Sequence, residues 1–388
     1  MPAPIYSIDF LALALTRSVF NPFIAWMIPI CLRAVATPYH APVFIYSVTY
    51  AGFLTLLFML SVVSHRIAYG RPRDVNWEGE VVVVTGGGSG LGRVLVEAFR
   101  MRGVSVAILD VSVDGDEHNG RGLEGELAEN VKWYQCDVSD AAEVEKVKGE
   151  VERDFGKCSI LINNAGIVNA RPLLELSSQE VQRNFNVNLI SHFNTLRAFL
   201  PGMLTRDGDN EEASTDINKE NENEEDLSHP LESPSSGGTI VTIASVLGRF
   251  PAANLSDYCA AKAGLIAMHT AFRAELAAAK QTDVIKTILV TPGQLSTPLF
   301  AGVETPSPFF GPVVEPVDLM REIMRLLERG EGGEISLPLY ARWIQWVNIL
   351  PVSIERVVRW VSGADRAMAK GASARRTTSM RKGQKKEE

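Results

Sequence analysis

The sequence predicts an α/β fold, a doubly wound parallel sheet preceded by one or more N-terminal membrane segments. Three observations lead there. Between Glu80 and about Leu337, short runs of β-branched and aliphatic residues alternate with amphipathic stretches; a glycine-rich run joins the first of each; and no Asp, Glu, Lys or Arg lies between Arg33 and Arg66. Near-continuous apolar strands separated by helices are what a parallel sheet covered on both faces requires.

Taken in order, the N-terminus comes first. The stretch from Pro42 to Val63 has the length and apolarity to span a bilayer core of ~30 Å. It lies too far from Met1, and is too long, for a cleaved signal peptide. Arg66, Arg71 and Arg73 follow directly, so the positive-inside tendency places the rest of the chain in the cytosol. The preceding run, Ser18 to Leu32, carries Pro22 and Pro29 and reads as an interfacial or re-entrant segment, or as the first arm of a hairpin. A buried pair of core helices is the competing reading.

The alternation then begins with the strand "VVVVTG", the helix "LGRVLVEAFRMRG" and the strand "VSVAILD". It continues through "VKWYQCDV", a helix from Asp140 to Phe155, "CSILINNAG", a helical region up to Met203, "GTIVTIAS", a helix containing Tyr258, and "VIKTILVTPG". One segment interrupts the order. Arg206 to Gly238 holds eleven acidic and two basic residues, a local net of −9 against −8 for the chain, so the remainder sums to +1. With almost no large apolar side chains it cannot offset the entropy of ordering, and residues 206–237 read as a disordered acidic insertion. After Leu337, Trp343, Trp346 and Trp360 mix with Arg342, Arg356 and Arg359, a pattern that suits helices at a membrane surface or packed on the domain. The tail from Lys370 carries seven basic residues and would be drawn to anionic headgroups.

Cys31, Cys136, Cys158 and Cys259 fit neither a zinc pattern nor a disulfide framework, and the six histidines lack metal-ligand spacing. No metal is expected.

The chemistry gathers at three places. "TGGGSGLG", Thr85 to Gly92, lies between strand and helix, where glycines let a pyrophosphate approach the amides of a helix N-terminus. Asp110 ends the second strand, where an acid accepts hydrogen bonds from ribose hydroxyls and repels a 2′-phosphate; a loop cap is the plainer reading. Tyr258 and Lys262 stand one helical turn apart, as a surface pair or as an ammonium that lowers a phenol pKa from about 10.

Thr85-Gly86 with Gly90 and Gly92, Asn163-Asn164-Ala165-Gly166, Asn188, Ser245, Tyr258-x-x-x-Lys262 and Pro292-Gly293 with Thr297 resemble, in order, the motif set of the short-chain dehydrogenase/reductase family. Within it, the N-terminal apolar segment, "DYCAAKAGL" and the Trp-rich extension are similar to the membrane-bound retinol and 17-beta-hydroxysteroid dehydrogenase branch. The resemblance implies a Rossmann-type domain over 75–340, between a membrane-anchoring region at 1–70, an amphipathic extension at 341–369 and a basic flexible tail at 370–388. It implies Tyr258 as general acid/base, Lys262 acting on the phenol and the nicotinamide ribose, Ser245 on the substrate oxygen, and Asn188 holding a water that links Lys262 to solvent. Gly86, Ser89, Gly90, Leu91, Gly92, Asp110, Asp137, Asn164 and Thr297 would join Tyr258 and Lys262 around the cofactor. Taken singly, Ser245 reads as a strand-end cap, Asn188 as a satisfied helix amide, and Asp137, Asn164 and Thr297 as turn formers.

The expected activity is interconversion of a lipophilic alcohol and its aldehyde or ketone with NAD(H), NADP(H) being the second choice. The partners are a lipophilic small molecule and a membrane of the endoplasmic reticulum or lipid droplet, with no nucleic acid and room for a homodimer. Two alternatives stay open: a reductase of a lipid-biosynthetic ketone such as a 3-ketosphingoid base, and a non-catalytic nucleotide-sensing scaffold.

Overall fold

Seven parallel strands form one sheet in the order β3-β2-β1-β4-β5-β6-β7. The computed structural model describes residues 7–111, 130–204, 237–300, 307–309 and 311–363. The acidic insertion, but for its last residue, and the basic tail fall outside them.

Three helices precede the sheet: α1 (Ile8–Arg17), α2 (Pro22–Ala34) and α3 (Pro42–Tyr69). Each starts on a recognisable signal, with Ser7 and Asn21 capping the first two and Pro42 opening the third. Among the described residues α3 is the one helix that is by itself long and apolar enough to cross a membrane; α1 and α2 meet at 47° and pass the same test only as a bent pair. Ala25 of α2 packs on Ala51 and Leu54 of α3, and Trp26 donates to Thr55 at 2.9 Å. Both arms otherwise leave their large apolar side chains exposed.

The sheet and its covering helices follow: β1 (Val81–Thr85), α4 (Gly90–Arg100), β2 (Ser105–Asp110), β3 (Val131–Gln135), α5 (Ala141–Phe155), β4 (Ile160–Asn163), α6 (Ser178–Phe185), α7 (Ser191–Leu204), β5 (Gly238–Ile243), α8 (Ser256–Ala278), β6 (Ile285–Val290), α9 (Pro316–Glu328) and β7 (Gly333–Ile335). Two short helices, α10 (Leu339–Trp343) and α11 (Val352–Ser362), close the described chain. The period of two along β1 explains the layering. Val82 and Val84 enter one core with Leu91, Leu95 and Phe99 of α4 and Leu319 and Ile323 of α9, while Val81 and Val83 enter the other with Val144, Val147 and Val151 of α5 and Leu196 and Phe199 of α7. Both faces are therefore covered, as the unbroken valine run requires.

At the N-terminal edge of the sheet a buried ionic knot replaces apolar packing. Arg73 bonds Glu80 at 2.8 Å and Thr239 at 3.0 Å, and Ser159 donates to the same carboxylate. Beside it the C-terminus of α3 is fastened to β6: Lys286, its side chain wholly buried, donates to the carbonyl of Tyr69 at 3.2 Å and of Thr282 at 2.6 Å. Arg273 donates to the Tyr69 hydroxyl at 3.0 Å and the Arg71 amide to Asp283 at 2.7 Å. A cation meeting the carbonyl end of a helix is favoured by its dipole. The other end of the apolar region is also tied, Ile8 N–H to the Phe309 carbonyl at 3.1 Å and Asp9 to the Leu339 amide.

Strand β7 was not expected from sequence. Its three residues, "GEI", are too few to show a period, and pairing with β6 makes it a strand.

Candidate functional site

The order of the sheet reverses between β1 and β4, and a cleft of about 470 Å³ opens above their C-terminal ends. Three sets of residues line it.

The first is the glycine loop between β1 and α4. Gly86 and Gly90 hold φ of +64° and +53°, where a side chain would be strained. A Cβ on Gly86 would come within 2.9 Å of the Ala165 backbone, and one on Gly92 would overlap the Gly86 carbonyl. Ser89, at the N-cap of α4, makes no side-chain cap bond, and Ser89, Gly90 and Leu91 line the cleft. This cradle, kept open by missing Cβ atoms at a helix N-terminus, fits a nucleotide pyrophosphate. Asn164 holds its edge, donating from Nδ2 to the carbonyls of Thr85 at 3.1 Å and Gly86 at 3.0 Å.

The second set comes from the ends of β2 and β3. Asp110 accepts the Gly88 amide at 3.0 Å through Oδ2 and lines the cleft. Asp137 also lines the cleft and accepts from the Ser139 amide at 2.9 Å and hydroxyl at 2.7 Å. Thr297 lies across the glycine loop, 3.5 Å from where a Gly90 Cβ would stand.

The third set is Ser245, Tyr258 and Lys262. Ser245 follows β5 and accepts the Leu247 amide at 3.1 Å, folding the chain into a tight turn. Gly248 in that turn has no room for a side chain, its Cβ falling 2.7 Å from the Lys262 carbonyl carbon, so the turn lies directly on α8. Tyr258 and Lys262 share the inward face of α8, both buried, with the Lys262 ammonium 5.8 Å from the phenol ring centre and 2.9 Å from the Ile243 carbonyl. They are not a surface pair. Phe300 meets the Tyr258 ring edge-on at 5.8 Å. Asn188, wholly buried in a π-helical turn at Asn186–Ile190, donates to the Ile167 carbonyl and to Asn184, both at 2.8 Å, and accepts from the Ile167 amide at 3.0 Å. Its amide hydrogens are both used, and any water it holds must be met by an oxygen.

Electrostatics depart from the sequence-based expectation in one respect. Burial pushes the Tyr258 phenol up, opposed by a hydrogen bond with Ser245, and Lys262 does not reverse the balance. Burial also lowers Lys262 itself, to about 8. Burial thus outweighs the Ser245 hydrogen bond at the phenol.

Gly86, Ser89, Gly90, Leu91, Asp110, Asp137, Asn164, Ser245, Tyr258, Lys262 and Thr297 line one cleft, whereas Gly92 and Asn188 stand behind its lining and pack on Gly86 and Ile167. Asp257 and Asn169 were missed: Asp257 accepts the Tyr258 amide at 2.8 Å and the Asn169 side chain at 2.6 Å, fixing the first turn of α8 to the segment after β4. The acid at the start of a helix was the available signal.

The short chain dehydrogenase family model matches residues 80–210 and 228–307. Retinol dehydrogenase 10-B of Danio rerio is 33% identical over 279 residues, covering 66% of this chain and 74% of the relative. Epidermal retinol dehydrogenase 2 of Mus musculus is 31% identical, covering 73% and 81%. Among solved structures, the 3-ketoacyl-(acyl-carrier-protein) reductase of Brucella melitensis complexed with NADH aligns at a TM-score of 0.51 and 23% identity, over 68% of this chain and 98% of that one. A short chain dehydrogenase of Burkholderia cenocepacia in complex with NADP aligns at 0.54 and 22%, over 73% and 98%. These two show the fold.

The buried ammonium generates a prediction of its own. With a folded pKa of about 8 against the ordinary lysine value of 10.5, Lys262 costs stability that is absent above pH 10.5, grows as pH falls, and is complete below about 8. Lys262→Met should therefore gain thermal stability relative to the unmodified protein at pH 7, and the gain should shrink toward pH 10. A melting-temperature difference that stays constant across that range would show that no charge is buried there.

Proposed function

This chain belongs to the short chain dehydrogenase family, whose members are NAD(P)-dependent and act on CH–OH groups, and from that membership we propose a membrane-anchored enzyme that interconverts a lipophilic alcohol and its carbonyl form. Retinoids, steroids and long-chain lipids are the substrate classes. The observation that carries the reading is the Ser245, Tyr258 and Lys262 group, buried together at the floor of the cleft and facing Leu295, Leu299 and Phe300 in its wall. An apolar wall suits a substrate whose one polar point is the reacting oxygen.

The bound nicotinamide cofactor supplies or accepts the hydride. Gly86, Ser89, Gly90, Leu91 and Gly92 would hold its pyrophosphate, Asp110 a ribose, Asp137 the adenine and Thr297 the nicotinamide amide. Ser245 orients the substrate oxygen by donating to it. Tyr258 gives that oxygen a proton on reduction and takes it back on oxidation. Lys262 would bond the ribose hydroxyls and keep positive charge near the phenol. Asn188 steadies the Ile167 segment and, through an oxygen, a water leading from Lys262.

Anchoring rests on α3, whose apolar side chains stand exposed along its length, and on Trp343, Trp346 and Trp360, exposed on the C-terminal extension. Arg66, Arg71 and Arg73, at and just beyond the end of α3, support a cytosolic orientation of the domain, at an endoplasmic-reticulum or lipid-droplet membrane. Preference for NAD(H) rests on Asp110.

Three outcomes are expected. Tyr258→Phe should reduce turnover at least ~100-fold in a screen of retinal, steroid ketones and fatty aldehydes, with NADH binding kept; near-normal turnover removes the assignment. Asp110→Ala should move the ratio of NAD(H) to NADP(H) efficiency toward NADP(H), and an unmodified enzyme that already strongly prefers NADPH would displace Asp110 from the ribose. The full chain should stay with membranes through high salt and leave only in detergent, because burial of α3 is not a charge effect; release by salt alone would end the anchoring proposal.

A further inference from the structure

Beneath Lys262 lies a seam of buried polar groups that the reaction as described does not use. His192 stands on the inward face of α7, one turn beyond Asn188, and His269 on the inward face of α8, two turns beyond Lys262. Both are 2% exposed. Asn163 and Thr242, paired neighbours on β4 and β5, close the seam from the sheet.

His269 Nδ1 meets the Thr242 hydroxyl at 3.0 Å, and Asn163 accepts from Thr195 at 2.8 Å. His192 Nδ1, His269 Nε2 and Asn163 Nδ2 are buried with no hydrogen-bond partner among the described residues. Unmet buried nitrogens are costly, and buried water is the usual way such groups are satisfied.

The charges around the seam are of one sign. Burial keeps His192 well below the ordinary histidine range, and Lys262 and then His269 push it further the same way. Burial lowers His269 to about 4, with Arg273 adding to the effect. No carboxylate contributes at either histidine or at Lys262, and Asn163, Thr195 and Thr242 do not titrate. A second cation would therefore stand uncompensated beside the first. Both imidazoles are neutral at working pH, and a neutral imidazole has an acceptor nitrogen to offer an ammonium.

We propose that His192 is a positioning residue for Lys262: its unpartnered Nδ1 accepts, through buried water, a hydrogen bond that holds the ammonium charged and aimed at the cleft. The inference rests on the reading that Lys262 contacts the cofactor ribose. His192→Leu removes the acceptor at similar volume, whereas His192→Asn keeps a polar atom near Nδ1.

The test is the affinity of the full chain for NADH in detergent, followed by fluorescence from pH 6 to 10. The unmodified protein should bind progressively more weakly as pH rises through about 8, where Lys262 loses its proton, and Lys262→Met should bind weakly with no such limb. His192→Leu should move the limb down by roughly one pH unit, and His192→Asn should restore it. A limb absent from the unmodified protein, or kept in Lys262→Met, overturns this inference together with the parent reading. A limb that depends on Lys262 but is unmoved by His192→Leu, or moved equally by leucine and asparagine, overturns this inference alone. Nitrogen-15 spectra of the unmodified protein give an independent check, because a His192 ring protonated at pH 6.5 is incompatible with the proposal.

Discussion

Neighbouring strands β1 and β4 send their connections in opposite directions, and the site depends on that divergence. A gap must open where the two chains part, and it stays open because Asn164 ties the carbonyls of Thr85 and Gly86 while the absent Cβ of Gly92 lets α4 start hard against the same turn. The glycine loop, the segment after β4 and the turn after β5 all face this gap. A change in sheet order would separate them, whereas changes in the helices on the outer faces would leave them in place.

Burial then sets the character of the groups that meet there. Among the described residues, Lys262 is held in the interior by one backbone acceptor, the Ile243 carbonyl, and His192 on α7 shares its surroundings. Such an arrangement opposes the stability of the apoprotein and favours any ligand that brings negative charge or hydrogen-bond acceptors, a common balance at sites selected for binding rather than for folding. The resting phenol is pushed up for the same reason.

Most of the architecture was legible in the sequence because its signals are local. The valine run of β1, the glycine loop and the Asp140 cap of α5 each declare themselves within a few residues, and most of the residues named by the ordered motifs from Gly86 to Thr297 line one cleft. What was not legible depends on contacts between distant segments. Strand β7 exists through its pairing with β6, the ionic knot joins Arg73 to Thr239 across the chain, and His192 meets the surroundings of Lys262 only when α7 packs beside α8. The phenol was misjudged because charge proximity can be read from spacing, but desolvation cannot. Nor does helical periodicity announce the π-helical turn at Asn188, since one added residue shifts the face without altering composition.

The fastening of α3 to β6 has a consequence for how the enzyme would meet its substrates. Lys286, Arg273 and Asp283 seize the last residues of the helix, so no slack linker separates it from the catalytic domain. With α3 upright in a bilayer, the domain would keep a fixed tilt, and its remaining freedom would be to spin about the membrane normal and drift sideways. The mouth of the cleft would then travel at constant height over the lipid surface, and encounter would become a two-dimensional search in which the relevant concentration is molecules per unit area.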